Sequence, residues 1–91
     1  MLQGEKALYD LMQSEGLERI HVEDLGLELE NEPVTHAIAM EHWSTRKPCV
    51  MLTSGDPEDK DTLYWDGAKY ESLNISGSEF EKVCEKIVEL F

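Results

Sequence analysis

The chain has 91 residues, with twenty Asp and Glu against eight Lys and Arg and a formal net charge of −12 at pH 7. This charge excludes nonspecific nucleic-acid binding and disfavours anionic membranes, because both are bound through clustered Lys and Arg. The length fits one domain, no apolar run of roughly 18 residues occurs in it, and we expect no secretory leader. Cys49 and Cys84 lie far apart, which is typical of free cytosolic thiols. We therefore expect a monomeric, cytoplasmic domain.

The first third of the chain predicts a helix followed by two short strands. Apolar residues recur at helical spacing over about Glu5 to Ser14, and Gly16 supplies a stop. Leu17 to Val22 has the pattern of a short strand. Between Leu25 and Glu30, leucines alternate strictly with glycine or glutamate, which predicts a second strand with one buried face and one acidic face.

The middle of the chain predicts two longer strands and a hairpin. Val34 to Trp43 indicates one strand, and the nearly continuous apolar run Cys49 to Thr53 is typical of a central strand covered on both faces. Asp66-Gly67 lies between two β-rich runs and favours a two-residue type I′ turn, because both positions of that turn need positive φ. We therefore predict a hairpin that pairs Trp65 with Ala68.

The end of the chain predicts a second helix. Ser76 and Glu79 have the spacing of a capping box. An apolar stripe follows at spacings of three and four, formed by Phe80, Val83, Cys84, Ile87 and Phe91. The acids and lysines between them, among them Glu81, are expected on the solvent side. The order of elements predicts an α+β fold: a mostly antiparallel sheet of four to five strands with an N-terminal and a C-terminal helix packed on it.

The loop after the central strand holds four carboxylates within six residues: Asp56, Glu58, Asp59 and Asp61. Hard cations such as Ca²⁺ are bound by several carboxylate and carbonyl oxygens on a flexible loop. The EF-hand pattern is absent, so the expected affinity is weak, with a Kd of about 10⁻⁴–10⁻³ M. Weak divalent-cation binding at this loop is the leading hypothesis from the sequence, and the alternative is a solvated surface loop.

A second acidic stretch contains no Lys or Arg and comprises Glu23, Asp24, Glu28, Glu30 and Glu32. On an extended strand, the last three would form a row spaced about 6.7 Å apart, twice the rise per residue. That spacing is close to every second phosphate of a DNA strand, so the row would suit the basic surface of a DNA-binding protein. The plainer interpretation is a charged edge strand that resists aggregation.

Catalysis is the third possibility. A cysteine nucleophile needs a base beside it, and Cys49 with His36 and His42 supplies these residue types. The two histidines are separated by roughly 20 Å of extended chain, so they cannot serve one centre without a bulge. No phosphate loop, serine elbow or zinc-spaced Cys/His cluster is present. We therefore expect a protein that is not an enzyme.

The aromatic residues allow a further interpretation as an interaction domain. Tyr64, Trp65 and Tyr70, together with Trp43, would suit a binding surface, because Trp and Tyr anchor protein interfaces. In so small a domain, such residues more often complete the core. The alternation predicts that Trp65 and Tyr70 are buried and that Tyr64 is exposed.

Three stretches of the chain resemble the phage-encoded uracil-DNA glycosylase inhibitors, a family of small acidic DNA mimics. Val50 to Lys60 is similar to that family's central strand and acidic loop. Leu8 to Leu11 resembles its first helix. Ile20 to Leu25 falls where the family has the acidic strand that enters the DNA groove of the enzyme.

This resemblance assigns roles to particular residues. It implies that Glu23 and Asp24 contact the enzyme, and that Met51 and Leu52 help to line a pocket for an enzyme leucine. It therefore implies inhibition of a DNA-binding enzyme by charge mimicry, which is the alternative to cation binding. Either function makes the partner a cation or a basic protein surface.

Overall fold

The computed structural model describes residues 1–73 and 78–91. Within these residues, three helices are present: α1 Gln3–Ser14, α2 Gly67–Ser72 and α3 Glu79–Leu90. The strands are β1 Arg19–His21, β2 Glu28–Leu29, β3 Glu32–Pro33, β4 His36–Glu41, β5 Pro48–Ser54 and β6 Leu63–Asp66, and a 3₁₀ turn spans Glu23–Leu25. None of the described helices has the length and apolar character needed to cross a bilayer.

The four longer strands form one antiparallel sheet in the order β1-β4-β5-β6. β2 and β3 pair with each other as a separate hairpin. α1 packs on β5 and β4, α3 packs on α1 and the hairpin, and α2 contacts β5. The predicted α+β fold, with a mostly antiparallel sheet and helices packed on it, is confirmed. β5 is a central strand, as predicted.

The two faces of the sheet differ in burial. On one face, Ala37 of β4 pairs with Leu52 of β5, and both are fully buried in the core that includes Leu8 of α1. The next pair along, Ile38 and Met51, points to the opposite face and is only partly buried. The small side chain of Ala37 leaves room for α1 against the sheet. On the opposite face of β5, Met51 is only partly buried, but Cys49 and Thr53 are each 1% exposed, so most of this strand is covered on both faces, as predicted.

Asp66-Gly67 does not form the predicted type I′ hairpin. β6 ends at Asp66, whose Oδ1 accepts a hydrogen bond from the Ala68 amide at 2.8 Å and caps α2. The predicted pairing of Trp65 with Ala68 is therefore wrong. Asp is favoured at helix N-caps as well as in turns. A Cβ on Gly67 would clash with the Glu5 carboxylate, so glycine is required here for close packing and not for a turn.

A two-residue turn lies instead at Glu30-Asn31, where the sequence pattern predicted none. Both residues have positive φ, 53° and 67°, as a type I′ hairpin requires. Across this turn Leu29 pairs with Glu32, and directly opposed residues share a face of a hairpin. Glu28 therefore points to the face opposite Glu32. The predicted row of glutamates on one strand face is wrong, because the chain reverses in the middle of it.

α3 begins after Ser78, whose Oγ accepts a hydrogen bond from the Glu81 amide at 3.3 Å. The predicted cap, Ser76, lies outside the described residues. Much of the predicted apolar stripe is buried, at Phe80, Val83, Cys84 and Ile87. Phe91 is exposed, because it follows the last helical residue.

Two buried carboxylates hold the N-terminus of α1. Glu81 Oε1 accepts a hydrogen bond from the Gly4 amide at 3.0 Å, so the prediction that Glu81 faces solvent is wrong. Glu5 Oε1 accepts the Leu2 amide at 3.2 Å, and Glu5 Oε2 accepts the Val50 amide of β5 at 2.9 Å. The first amides of a helix lack intrahelical acceptors, and these side chains supply them.

We expect Gly67→Ala to lower the free energy of unfolding by about 1–3 kcal/mol, because the added methyl group must displace the buried Glu5 carboxylate. Urea unfolding measures the change. The matched control is the same substitution in a Glu5→Ala background, where the space has been opened and the added cost should nearly vanish. Equal costs in the two backgrounds would contradict the close approach as the cause.

Candidate functional site

A groove of about 530 Å³ lies between β6, α2 and the β2–β3 hairpin. Its lining comprises Glu30, Glu32, Trp43, Leu63, Tyr64, Trp65, Asp66, Lys69 and Tyr70. We call it the aromatic groove. This lining contains four aromatic side chains, three carboxylates and one lysine, so the groove combines apolar surface with net negative charge.

Trp43 and Tyr64 form an exposed aromatic pair in the groove. Their ring centroids are 5.9 Å apart in an edge-to-face arrangement, and the two residues are 55% and 56% exposed. The predicted exposure of Tyr64 is confirmed. Edge-to-face contact stabilises the pair without burying it. A large aromatic surface is therefore held in place and open to a partner.

A buried histidine, His42, positions Trp43, which stacks on it with a centroid separation of 4.3 Å. His42 Nδ1 accepts hydrogen bonds from the Ser44 and Thr45 amides at 3.0 and 3.2 Å. The proton of the neutral ring is therefore on Nε2, which donates to Asp66 Oδ2. Sequence reasoning missed this pair, because the two residues are 24 positions apart. The sequence hint to this pair is weak: His42 directly follows β4 and Asp66 is the last residue of β6.

Glu30 connects the hairpin to the sheet within the groove. Its Oε2 accepts a hydrogen bond from Trp65 Nε1 at 3.0 Å, and its amide donates to Glu79 Oε1 at 3.1 Å. Burial, together with the neighbouring Glu30 carboxylate, raises the pKa of Tyr70, which stacks on Phe80 at 5.0 Å. Trp65 is buried, as predicted, whereas Tyr70 is only half-buried. Glu30 is thus both a structural link and a charge in the groove.

The five acids predicted to bind a partner occupy three positions. Glu30 and Glu32 line the aromatic groove, Glu23 and Asp24 belong to the 3₁₀ turn after β1, and Glu28 lies on β2. All five are exposed. Across residues 1–73 and 78–91, none of them forms an ion pair with a Lys or Arg side chain. The structure therefore brings two of them together with the aromatic residues.

The acidic loop is stabilised by its own backbone. Asp56 Oδ1 accepts the Glu58 amide and Asp59 Oδ1 accepts the Asp61 amide, both at 2.9 Å, which are Asx turns. Glu58 also approaches Arg19 at 3.7 Å. In the part of the chain that the structure describes, no three His, Cys, Asp or Glu side chains are grouped so as to hold a metal ion. Calcium binding at this loop stays a prediction. It requires that the ion draw the loop carboxylates closer together than they lie in this structure.

Cys49 has the surroundings of a structural thiol. It is 1% exposed, and burial, with the Asp66 and Glu5 carboxylates, raises the pKa of its thiol to about 12. Because this pKa lies far above 7, the thiol is protonated at neutral pH. The nucleophilic form of a cysteine is the thiolate, which is therefore scarce here. His36 begins β4 and His42 follows its last residue, which keeps the two histidines at opposite ends of the strand. This environment disfavours covalent catalysis by Cys49.

Met51 and Leu52, which the glycosylase-inhibitor resemblance assigns to one pocket, point to opposite faces of β5. Leu52 is fully buried in the core. Met51 lines a hollow of about 300 Å³ that also includes Trp43 and Tyr64. Of the two residues, only Met51 is accessible to a partner, and it lies beside the exposed aromatic pair.

A scan against protein-family models and searches of curated proteins and of solved structures found no match to this chain. What the protein binds must therefore be inferred from the shape and charge of its own surfaces. Among these, the candidates are the aromatic groove, the acidic loop and the exposed acids Glu23 and Asp24 after β1.

Added Ca²⁺ is expected to shift the backbone amide resonances of residues 56–61 saturably, with a Kd of about 10⁻⁴–10⁻³ M. The double substitution Asp56→Asn and Asp59→Asn preserves the Asx turns, because asparagine accepts the same amides, but removes two charges and should abolish the saturable shifts. The matched control, Glu28→Gln with Glu32→Gln, removes two charges from the hairpin and should leave the titration unchanged. Small, unsaturable shifts near all acids alike would contradict a loop site.

Proposed function

We propose that the protein is a cytoplasmic, non-catalytic binding domain that takes a Lys- or Arg-bearing segment of a partner protein into the aromatic groove. The observation that carries this proposal is the presence of exposed aromatic rings and carboxylates in one groove. Aromatic faces attract cationic side chains by about 0.5–1 kcal/mol at exposed sites. Carboxylates add charge-assisted hydrogen bonds, which are bidentate with arginine. The lining therefore suits a cationic side chain.

Glu32 is the carboxylate in the groove that is best placed to receive that side chain. The other two carboxylates of the lining are already engaged: Glu30 is hydrogen-bonded to Trp65, and Asp66 is hydrogen-bonded to His42. Among the described residues, no side chain is hydrogen-bonded to or ion-paired with the Glu32 carboxylate, which is exposed. An incoming guanidinium can pair with it without breaking an existing contact.

The charge of the whole chain supports a basic partner. A net charge of −12 attracts cationic proteins over distance, which raises the association rate and makes it sensitive to salt. The exposed acids outside the groove, Glu23, Asp24 and Glu28, add to this attraction without lying at the groove itself. The charged surface provides long-range attraction, and the groove provides the specific contacts.

A short peptide containing two arginines separated by glycine is expected to shift the indole resonances of Trp43 and Trp65, whereas the same peptide with citrulline should not. Citrulline keeps the shape of arginine and removes its charge, so the comparison isolates the cation. Glu32→Gln should weaken binding by about two- to fivefold, as expected for an exposed ion pair. NMR titration at two salt concentrations measures these changes.

Glu28→Gln is the matched control, because it makes the same charge change on the same hairpin but outside the groove lining. It should affect binding less than Glu32→Gln does. Trp43→Ala removes an exposed ring and should also weaken binding. Equal losses for Glu28→Gln and Glu32→Gln, or equal binding of the arginine and citrulline peptides, would rule out the groove as the binding site.

A DNA-binding enzyme is the second candidate partner, and the position of Glu23 and Asp24 favours it. Both residues are exposed in the turn directly after β1, where the resemblance to glycosylase inhibitors expects acids that contact the enzyme. In the described residues neither carboxylate forms an ion pair with Lys or Arg, while Glu23 Oε2 lies 3.1 Å from His21 Nε2. A basic surface would therefore meet Asp24 directly and would compete with His21 for Glu23.

Stoichiometric protein is then expected to inhibit uracil excision by a uracil-DNA glycosylase. Glu23→Gln with Asp24→Asn should relieve that inhibition, because the mimicked phosphate charges are lost. Glu15→Gln with Glu18→Gln removes two exposed charges elsewhere and should not relieve it. Undiminished excision in the presence of the unaltered protein would eliminate this candidate and leave the aromatic groove unaffected.

A further inference from the structure

His21 and His36 are cross-strand neighbours on β1 and β4. The Val22 amide donates to the Thr35 carbonyl at 2.8 Å, and the Ala39 amide donates to the carbonyl of Glu18, the residue before β1, at 2.9 Å. The two histidines therefore occupy a position between hydrogen-bonded pairs, where opposed side chains approach most closely. Their ring centroids are 4.9 Å apart and the ring planes are tilted by 32°.

One nitrogen of His21 is held by a carboxylate. Nε2 lies 3.1 Å from Glu23 Oε2. A carboxylate accepts hydrogen bonds and does not donate them, so the proton of the neutral ring is on Nε2 and the lone pair is on Nδ1. Carboxylate–imidazole pairs of this kind orient metal-binding histidines and raise their basicity.

One nitrogen of His36 is held by a threonine. His36 Nδ1 lies 2.8 Å from Thr35 Oγ1, and that hydroxyl is itself fixed in place, because it accepts the Gly55 amide at 2.9 Å and lies 3.0 Å from the Gly55 carbonyl. Among the described residues, Nε2 of His36 has no hydrogen-bond partner. Nε2 is therefore the nitrogen of His36 that is open to a ligand.

We propose that His21 and His36 together bind one divalent transition-metal ion of the kind that imidazole favours, such as Zn²⁺, Ni²⁺ or Cu²⁺. Zinc–nitrogen bonds of about 2.0–2.1 Å join two nitrogens that are at most about 4 Å apart. The ring centroids are 4.9 Å apart, so the proposal requires side-chain rotations that bring the two free nitrogens within that distance. This site is independent of the aromatic groove and of the acidic loop, and it shares only Glu23 with the surface proposed to meet a DNA-binding enzyme.

Water completes the coordination of the ion. His21 is exposed and His36 is half-buried, and the described residues group no third His, Cys, Asp or Glu with them. Because the two ligands belong to different strands, the ion binds only when β1 and β4 are paired in register. Metal binding therefore stabilises the folded chain and raises its melting temperature.

Calorimetric titration of the full chain with Zn²⁺ tests the site. One ion per chain is expected, and His21→Ala or His36→Ala should each abolish binding over the same concentration range. Glu23→Gln should weaken the affinity by about tenfold, the lower end of the loss for a residue that orients a ligand. Asp24→Asn makes the same charge change on the adjacent residue and should leave the affinity unchanged. Urea unfolding confirms that each variant is folded.

Substoichiometric Cu²⁺ provides a second measurement, since its unpaired electron broadens the resonances of nearby nuclei. Broadening is expected at His21 and His36 and not at His42, which is buried beside Asp66. Four results would overturn the proposal: Zn²⁺ affinity that survives His21→Ala, equal losses for Glu23→Gln and Asp24→Asn, broadening centred on residues 56–61, or one ion shared by two chains.

Discussion

The buried Glu5 carboxylate is the interaction on which the packing of this domain depends. It accepts amides from Leu2 and from Val50, while Gly67 approaches so closely that no side chain fits between them. Burial raises the pKa of Glu5, and the two amides oppose that rise. A carboxyl group at this depth is tolerated because hydrogen bonds replace its water. It joins α1, β5 and the start of α2, and so fixes where α2 lies beside the groove.

The surplus of acid is divided among different physical roles. Some carboxylates are structural, as Glu81 is at the start of α1. Others, such as Glu30, link elements and also charge the groove. In the acidic loop, Asp56 and Asp59 close turns of their own backbone, and other acids are exposed to solvent. A charge total alone does not distinguish these roles, because only burial and hydrogen-bond partners separate a carboxylate that holds the fold from one that can meet a partner.

Periodicity predicted α1, α3 and β1, because each of these elements buries one face whose spacing the sequence repeats, and a continuous apolar run predicted β5. The turn predicted at Asp66-Gly67 was wrong, since Asp is common both in turns and at helix N-caps. The packing of Gly67 against the Glu5 carboxylate, which is distant in sequence, favours the helix. Glu30-Asn31 gave no turn signal, because glutamate is uncommon at positive φ. Of the groove, the sequence supplied acids and aromatic residues separately. The acids and the aromatic residues come together in the groove only through the pairing and register of the strands, which no local sequence pattern encodes. The same holds for the hydrogen bond between His42 and Asp66.

The two cysteines have a consequence for the covalent chemistry of the chain. Cys49 and Cys84 are both free and both buried, and burial raises the pKa of each thiol. Oxidation to sulfenic acid and thiol–disulfide exchange both proceed through an accessible thiolate, which neither residue offers while the chain is folded. The two thiols of the folded molecule are therefore expected to stay reduced even in oxidising surroundings.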